Sequence, residues 1–380
     1  MRALVIDKTA VLGTAHQRYE LLAETPGVDL CVFCPTWWPE HMREVRAERV
    51  THPRYEIRLG ATLWTGSYSR GFYVSGLAAA IRDFQPDVIQ LLEEPWSLFA
   101  GQTAWLARRG APRAKLLFYT WENIHREGTY CSKLDPLHRR IERLVFARAS
   151  AGVCATELAA QVVRKRGFLG ETPVIPYGVS QEFFLSEGEI HRRVDRRAGE
   201  PLRVGYFGRL LPMKGVEILL EALSHAPARL VVVGSGPSEA QLKRLAGSHG
   251  VRERVEWIPA VATSEVPALM RSLDVLVLPS RTTPEWAEQL GRVLIEAMAS
   301  GVPVVGSSSG SIPEVIGGDG LIFPEGDSAA LAECLARLER DAALRAQLIR
   351  SAFGKARARY AWERFASDLV ETWRRLLSAD

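Results

Sequence analysis

Short apolar runs recur along this chain, separated by stretches in which apolar residues return at helical spacing. In the first half the runs are ALVID (3–7), LCVFC (30–34), DVIQLL (87–92), KLLFYT (115–120), AGVCAT (151–156) and TPVIP (172–176). Between them the spacing predicts helices near 16–25, 73–84, 97–109, 136–147 and 157–167. Strands that alternate with helices form parallel sheets with crossover connections. Runs this continuously apolar fit a sheet covered on both faces.

Residues 186–201, SEGEIHRRVDRRAGEP, lack aliphatic periodicity, carry many charges and end at a proline. They read as a linker or exposed loop. A second series follows: RVGYFG (203–208), RLVVVG (229–234), VEWIP (255–259), VLVLPS (275–280), VPVVGS (302–307) and GLIFP (320–324). The same α/β pattern thus occurs twice, which favours two Rossmann-like domains over one large sheet. The expected boundaries are 1–185 for the first domain, 186–201 for the linker and 202–362 for the second. A C-terminal helix over 363–380 is expected to cap one of the domains and is open to packing back on the first.

Length and composition agree with this division. A chain of 380 residues with 47% hydrophobic and 24% charged residues is long enough for two cores and too apolar for disorder. A formal charge of +4 gives no case for nucleic acid as a partner. The opening MRALVIDKTAVLG reads as a strand entering a loop, not a leader, and no apolar segment is long enough to cross a bilayer. Five cysteines, an odd number, point to reduced thiols and a cytoplasmic chain. Cys31 and Cys34 form C-x-x-C, but inside an apolar run with no second pair, so they read as core residues.

Three constellations carry candidate chemistry. In YFGRLLPMKG (206–215), Gly208 ends a strand and Arg209 and Lys214 place two cations beside the turn before a helix. Fixed cations near a helix N-terminus suit a diphosphate. In VVVGSGP (231–237), Gly234 and Gly236 mark a second turn at a strand end. In the stretch 279–315, Glu288 and Glu296 lie eight positions apart. On one helix they would stand about 12 Å apart along the axis, too far for a glycosidase pair and suited to gripping two ends of an extended ligand. Gly291 lies between them, where a helix could begin and aim free amides at a phosphate.

The R-x4-K after a strand, the E-Q-x-G segment between two glutamates and the continuation AMASGVPVVG resemble the retaining glycosyltransferases of family four. That resemblance implies a GT-B fold, two facing Rossmann-like domains with a cleft between them. It covers nearly all of residues 200–380 and is looser in the first half. It implies a nucleoside-diphosphate sugar as co-substrate, with UDP the commonest nucleotide and GDP next, and no metal or other cofactor. Arg209 and Lys214 would hold the diphosphate, and Glu296 the ribose hydroxyls. Glu288 would meet the transferred sugar, with the amides of Gln289, Leu290 and Gly291 near sugar or phosphate. Transfer would keep the anomeric configuration.

One departure from the family concerns the histidine that many members carry after the strand equivalent to 115–120. Here the segment reads FYTWENIHREG, in which His125, Glu122 or Asn123 could substitute, beside Trp121. The first loop, DKTAVLGTAHQR, lacks the double glycine of many relatives, which leaves Gly13 for close approach and His16 or Arg18 to face a cleft. The acceptor side is less determined. Trp37, Trp38, His41, Trp64, Tyr68, Phe72 and Tyr73 form an aromatic-rich stretch that suits sugar stacking, a lipid tail or ordinary packing. Arginine-rich helices at 138–148 and 161–166 could meet an anionic membrane at the inner face. The acceptor expected is a glycan, a lipid-linked sugar or a small molecule. A nucleotide-sugar epimerase of the same fold and a non-catalytic nucleotide-sugar-binding partner protein are the alternatives. A pyridoxal-phosphate phosphorylase is disfavoured by the absence of a suitable lysine context.

Overall fold

The computed structural model describes residues 1–40, 43–125, 135–194 and 201–379. His41 and Cys131 lie outside the described residues. The chain divides into two compact units, one of Met1–Tyr177 with Trp362–Asp380 and one of Gly178–Ala361.

The first unit contains β1 (Arg2–Ile6), α1 (Gln17–Glu24), β2 (Asp29–Pro35), β3 (Trp37–Glu40), β4 (Arg43–Arg46), β5 (Glu56–Gly60), β6 (Thr62–Leu63) and β7 (Phe72–Tyr73). It continues with α2 (Leu77–Phe84), β8 (Val88–Leu91), α3 (Leu98–Gly110), β9 (Lys115–Thr120), α4 (Asp135–Arg148), β10 (Ala149–Cys154) and α5 (Glu157–Lys165). Among the described residues its sheet has six parallel strands in the order β10-β9-β8-β1-β2-β5. The central strands are apolar on both faces because helices cover both. Leu4, Ile6, Ile89, Leu91, Leu116 and Phe118 are all buried in one core. Cys31 and Cys34 sit fully buried on β2, where burial pushes both thiols up to about 12.

The second unit contains α6 (Glu187–Val194), β11 (Arg203–Phe207), α7 (Val216–His225), β12 (Arg229–Val233), α8 (Glu239–Ser248), β13 (Val255–Ile258), α9 (Val266–Arg271) and β14 (Val275–Leu278). It continues with α10 (Arg292–Ala299), β15 (Val304–Ser307), α11 (Ile312–Ile316), β16 (Leu321–Phe323), α12 (Ser328–Arg340) and α13 (Ala342–Arg359). Its parallel sheet runs β13-β12-β11-β14-β15-β16. The last helix, α14 (Trp362–Ser378), belongs to the first unit, where its buried Trp373 donates to Gln90 Oε1 at 3.2 Å.

Several elements differ from the sequence expectation. The run 172–176 is not a strand of the sheet; it makes an isolated bridge from Val174 to Cys154. β5 and the two hairpins β3–β4 and β6–β7 lie in the aromatic-rich stretch, for which no strand was expected. In the expected linker, Glu187–Val194 is helical. Its anchors are Ile190, buried against Leu185 and Phe353, and Arg193, which donates to the carbonyls of Gly301 (2.9 Å) and Arg271 (2.6 Å). Ile190 and Val194 are the only aliphatic residues of this helix, too few for a periodicity to read, and the arginine acts through distant backbone.

Candidate functional site

In the second unit the chain passes from β11 to β12 and β13 on one side, then returns to place β14 on the other. The reversal between β11 and β14 leaves a crevice outside their carboxyl ends, where open α/β sheets bind ligands. The loop after β11 carries Gly208, Arg209 and Lys214, and the loop after β14 carries Ser280, Trp286 and Glu288. The two loops meet: Arg281 N donates to Met213 O at 2.8 Å.

Across this crevice Lys214 Nζ donates to Glu288 Oε2 at 2.7 Å, with 15% and 10% of the side chains exposed. Ser280, fully buried, donates its hydroxyl to the same carboxylate oxygen at 2.7 Å. Ser280 is held in turn, since its carbonyl accepts from Ser307 Oγ at 2.5 Å. The face of Trp286 lies over the ammonium, 4.5 Å from Nζ to the ring centroid. A tight turn fixes that ring, with Trp286 N donating to Thr283 Oγ1 at 3.0 Å and Thr283 N to Trp286 O at 2.7 Å. Arg209 is exposed beside this cluster and has no carboxylate partner among the described residues. One cation is therefore locked by the fold and the other is free to meet an anion.

Glycines make the close approach of these loops possible. Gly215 is left-handed at φ +68, and a Cβ there would collide with the Pro279 carbonyl. Gly234, at φ +145, sits against the Gly208 carbonyl, and Gly236 against that of Leu210. Gly215 and Gly291 also precede the first residues of α7 and α10, and no side chain caps either helix. Uncapped N-terminal amides with a positive dipole end are what an anion needs.

Glu288 lies in the loop before α10 and Glu296 on the helix itself, so the two are not on one helix, as their spacing allowed. Glu296 is 15% exposed and receives Arg292 Nη2 at 3.5 Å. Burial raises its carboxyl above the ordinary range, against the opposing pull of Arg292. Gln289 is exposed, while Leu290 and Gly291 are buried.

The candidates of the first unit take different positions. His16 is fully buried, with Nδ1 2.6 Å from Tyr55 Oη and Nε2 2.8 Å from Ala10 O, and burial lowers its pKa. Both ring nitrogens are thus used inside the fold rather than offered to a ligand. Gly13 N donates to Glu48 Oε2 at 2.5 Å. Arg18 is buried and donates to Asp7 Oδ2 at 2.6 Å, with its guanidinium stacked near Tyr177 and Trp362. Trp121 packs on Tyr119 and Tyr177; Glu122 is buried with its amide on Thr120 Oγ1; Asn123 is half-buried and His125 exposed.

Sequence reasoning missed a second ion pair in this unit. Here the switch point lies between β1 and β8, and Lys8, just beyond β1, donates to Glu93, just beyond β8, at 2.5 Å. Both are buried, and Lys8 Nζ also lies 4.2 Å from the Tyr68 ring centroid. Next to it Glu94 accepts from Thr120 Oγ1 (2.6 Å) and Trp121 N (2.8 Å). Burial and the nearby Glu122 push Glu94 up to about 7. The only sequence signal was the paired acid in LLEEPWS; nothing local reveals that Lys8 turns inward. Among the described residues no cluster of three or more His, Cys, Asp or Glu could hold a metal ion, and no helix is long and apolar enough to cross a membrane.

Comparison with known proteins fits this geometry. Residues 14–178 match the model of a "Glycosyl transferase 4-like domain" and residues 188–355 that of "Glycosyl transferases group 1". A D-inositol 3-phosphate glycosyltransferase of Stackebrandtia nassauensis is 32% identical over 71% of this chain and 65% of its own length. A GDP-mannose-dependent alpha-(1-6)-phosphatidylinositol monomannoside mannosyltransferase of Mycobacterium tuberculosis is 31% identical, over 61% of this chain and 64% of its own. The chain thus spans slightly under two thirds of the length of these curated relatives. Among solved structures, Anabaena Alr3699/HepE in complex with UDP superposes with a TM-score of 0.72 at 19% identity, covering 99% of this chain and 100% of that one. The fold is that of the GT-B proteins, and the chain belongs to the group 1 glycosyltransferases.

Proposed function

We propose that the chain transfers a sugar from a nucleoside-diphosphate sugar to an acceptor hydroxyl, with retention of configuration and without a metal ion. The observation that carries this reading is the Lys214–Glu288 pair at the β11–β14 switch point, with Arg209 exposed beside it and two uncapped helix N-termini nearby. In this reading Arg209 and Lys214 neutralise the diphosphate as negative charge grows on the leaving group. The Glu296 carboxylate accepts from the ribose hydroxyls, and Glu288 together with the amides of Gln289, Leu290 and Gly291 meets the transferred sugar. The bond from the anomeric carbon to the phosphate oxygen breaks, the acceptor oxygen bonds on the same face, and its proton passes to the departing diphosphate.

The donor is a UDP-sugar or a GDP-sugar. Names of the relatives support a mannosyl or related hexosyl donor and a hydroxyl on a phosphorylated polyol or a lipid-linked glycan as acceptor. The test is turnover against a panel of UDP- and GDP-sugars in the presence of a chelator, with the anomeric configuration of the product assigned. Retained configuration and chelator-resistant turnover support the reading; inversion, or complete loss in chelator, overturns it.

A further inference from the structure

Exposed apolar side chains are concentrated on one part of the first unit. Of the ten exposed large hydrophobic residues among the described residues, seven lie on the β6–β7 hairpin and the residue after it, α3 and α4. Trp64 and Tyr68 stand out on the hairpin, Trp105 on α3, and Leu137 and Leu144 on α4. The three elements touch in series. Gln102 of α3 hydrogen-bonds both backbone groups of Tyr73, and Gly101 of α3 faces Ile141 of α4. Trp105 lies one turn from Gln102, and Leu137 and Leu144 share a stripe two turns apart.

The same elements are basic. Arg70, Arg108, Arg140 and Arg143 are exposed and have no carboxylate partner among the described side chains, and Arg139, four positions after Asp135, is exposed as well. Arg109 lies over the Trp105 ring at 3.8 Å from its centroid. No Asp or Glu is exposed within residues 61–74, 98–110 or 136–148; the one acid there, Glu142, is buried. In the other basic segment, the end of α5 and the residue after it, Arg164 pairs with Glu157 at 3.0 Å and Arg166 with Glu142 at 3.4 Å. Most of the unneutralised positive charge of the unit thus lies beside the apolar side chains, with Arg113 and Lys165 exposed elsewhere.

We propose that this face docks on an anionic lipid bilayer. The arginines meet the head groups while Trp105, Leu137 and Leu144 enter the boundary between head groups and acyl chains, the arrangement of an interfacial basic helix. A soluble polyanion would use the arginines and leave the apolar side chains without a role. The inference needs no donor in the second unit and stands apart from the proposed transfer reaction.

The test is sedimentation of the full chain with vesicles of phosphatidylcholine alone and of phosphatidylcholine with roughly one-third phosphatidylglycerol. Partition is expected to be at least about tenfold higher on the anionic vesicles and to fall at high salt. Arg139→Gln with Arg140→Gln and Arg143→Gln removes that preference. Trp105→Ser with Leu144→Ser lowers partition although the charge is kept. All five positions are exposed, so unchanged circular dichroism and unchanged UDP or GDP binding are expected in both variants. Equal partition onto the two vesicle types overturns the proposal. So does binding that ignores the apolar substitutions and is matched by a soluble polyanion.

Discussion

Lys214 and Glu288, 74 positions apart in sequence, meet at 2.7 Å across the crevice where the second sheet reverses its winding. Neither partner is held by the other alone, because the buried Ser280 hydroxyl donates to the same Glu288 oxygen and Trp286 covers the ammonium. The cluster therefore presents one ammonium in one place instead of on a long mobile side chain. Such preorganisation is what stabilises developing charge without reorganisation during reaction.

Ser280→Ala tests that argument. It removes one donor from a carboxylate and leaves both charges, so the fold is expected to lose about 1.5–3 kcal/mol. Glu288 then loses one of the contacts that orient it toward Lys214. The expected result is a fall in kcat of roughly tenfold or more with little change in donor KM. Unchanged kcat in a properly folded variant would show that the hydroxyl has no positioning role.

The loops can approach only because Gly215 and Gly234 have no side chain. Gly215→Ala combines a left-handed φ with a collision against the Pro279 carbonyl. The two effects are expected to cost about 2–4 kcal/mol and to open the crevice. Urea unfolding gives the stability and nucleotide titration the site. Gly188, which lies on α6 with nothing within reach of an added Cβ, serves as the control, and Gly188→Ala should leave nucleotide binding unchanged and should not lower stability.

Glu94 gives a pH dependence with a definite sign. Its carboxyl is pushed up to about 7 by burial and by Glu122, against about 4.5 for the free side chain. The folded protein thus holds this proton more tightly than the unfolded chain. That contribution is fully present below about pH 4.5 and is lost as pH rises through 7, on the order of 3 kcal/mol in all. Glu94→Gln keeps a neutral group against Thr120 and Trp121 and should flatten the melting temperature between pH 5 and pH 7, the window set by the two pKa values. A variant with the same slope as the native chain would place the titration elsewhere.

The Lys8–Glu93 pair has both partners buried, so removing one leaves the other charge uncompensated. Lys8→Met is expected to destabilise by about 3–5 kcal/mol, and Lys8→Met with Glu93→Gln by clearly less. Equilibrium unfolding of the single and double variants measures the difference. Additive losses would mean that the two side chains do not act as a pair.

Periodicity located the strands that line both switch points, because strands buried on two faces are continuously apolar. It missed β5 and α6 for the opposite reason. EIRLG is an edge strand with charged residues on one face, and the α6 helix buries little beyond Ile190. The residues of the β11–β14 crevice could be singled out from sequence because Gly208, Arg209, Lys214 and Gly215 lie within one loop and Ser280 to Gly291 within another. That the two loops meet, and that Trp286 covers Lys214, depends on sheet order, which no local pattern contains. His16 illustrates the reverse error. A histidine in a loop after β1 reads as a cleft residue until Tyr55, 39 positions on, is seen to hold it.

The most direct test of the central claim is calorimetric titration of UDP and of GDP into the full chain and into Arg209→Ala. Arg209 is exposed and unpaired among the described residues, so its removal is expected to leave melting temperature unchanged. A nucleoside diphosphate held at the β11–β14 crevice should bind the native chain and lose at least about tenfold in affinity in the variant, the loss of one charge-assisted contact. Equal affinity in the two proteins, or no binding of either nucleotide to the native chain, would contradict it.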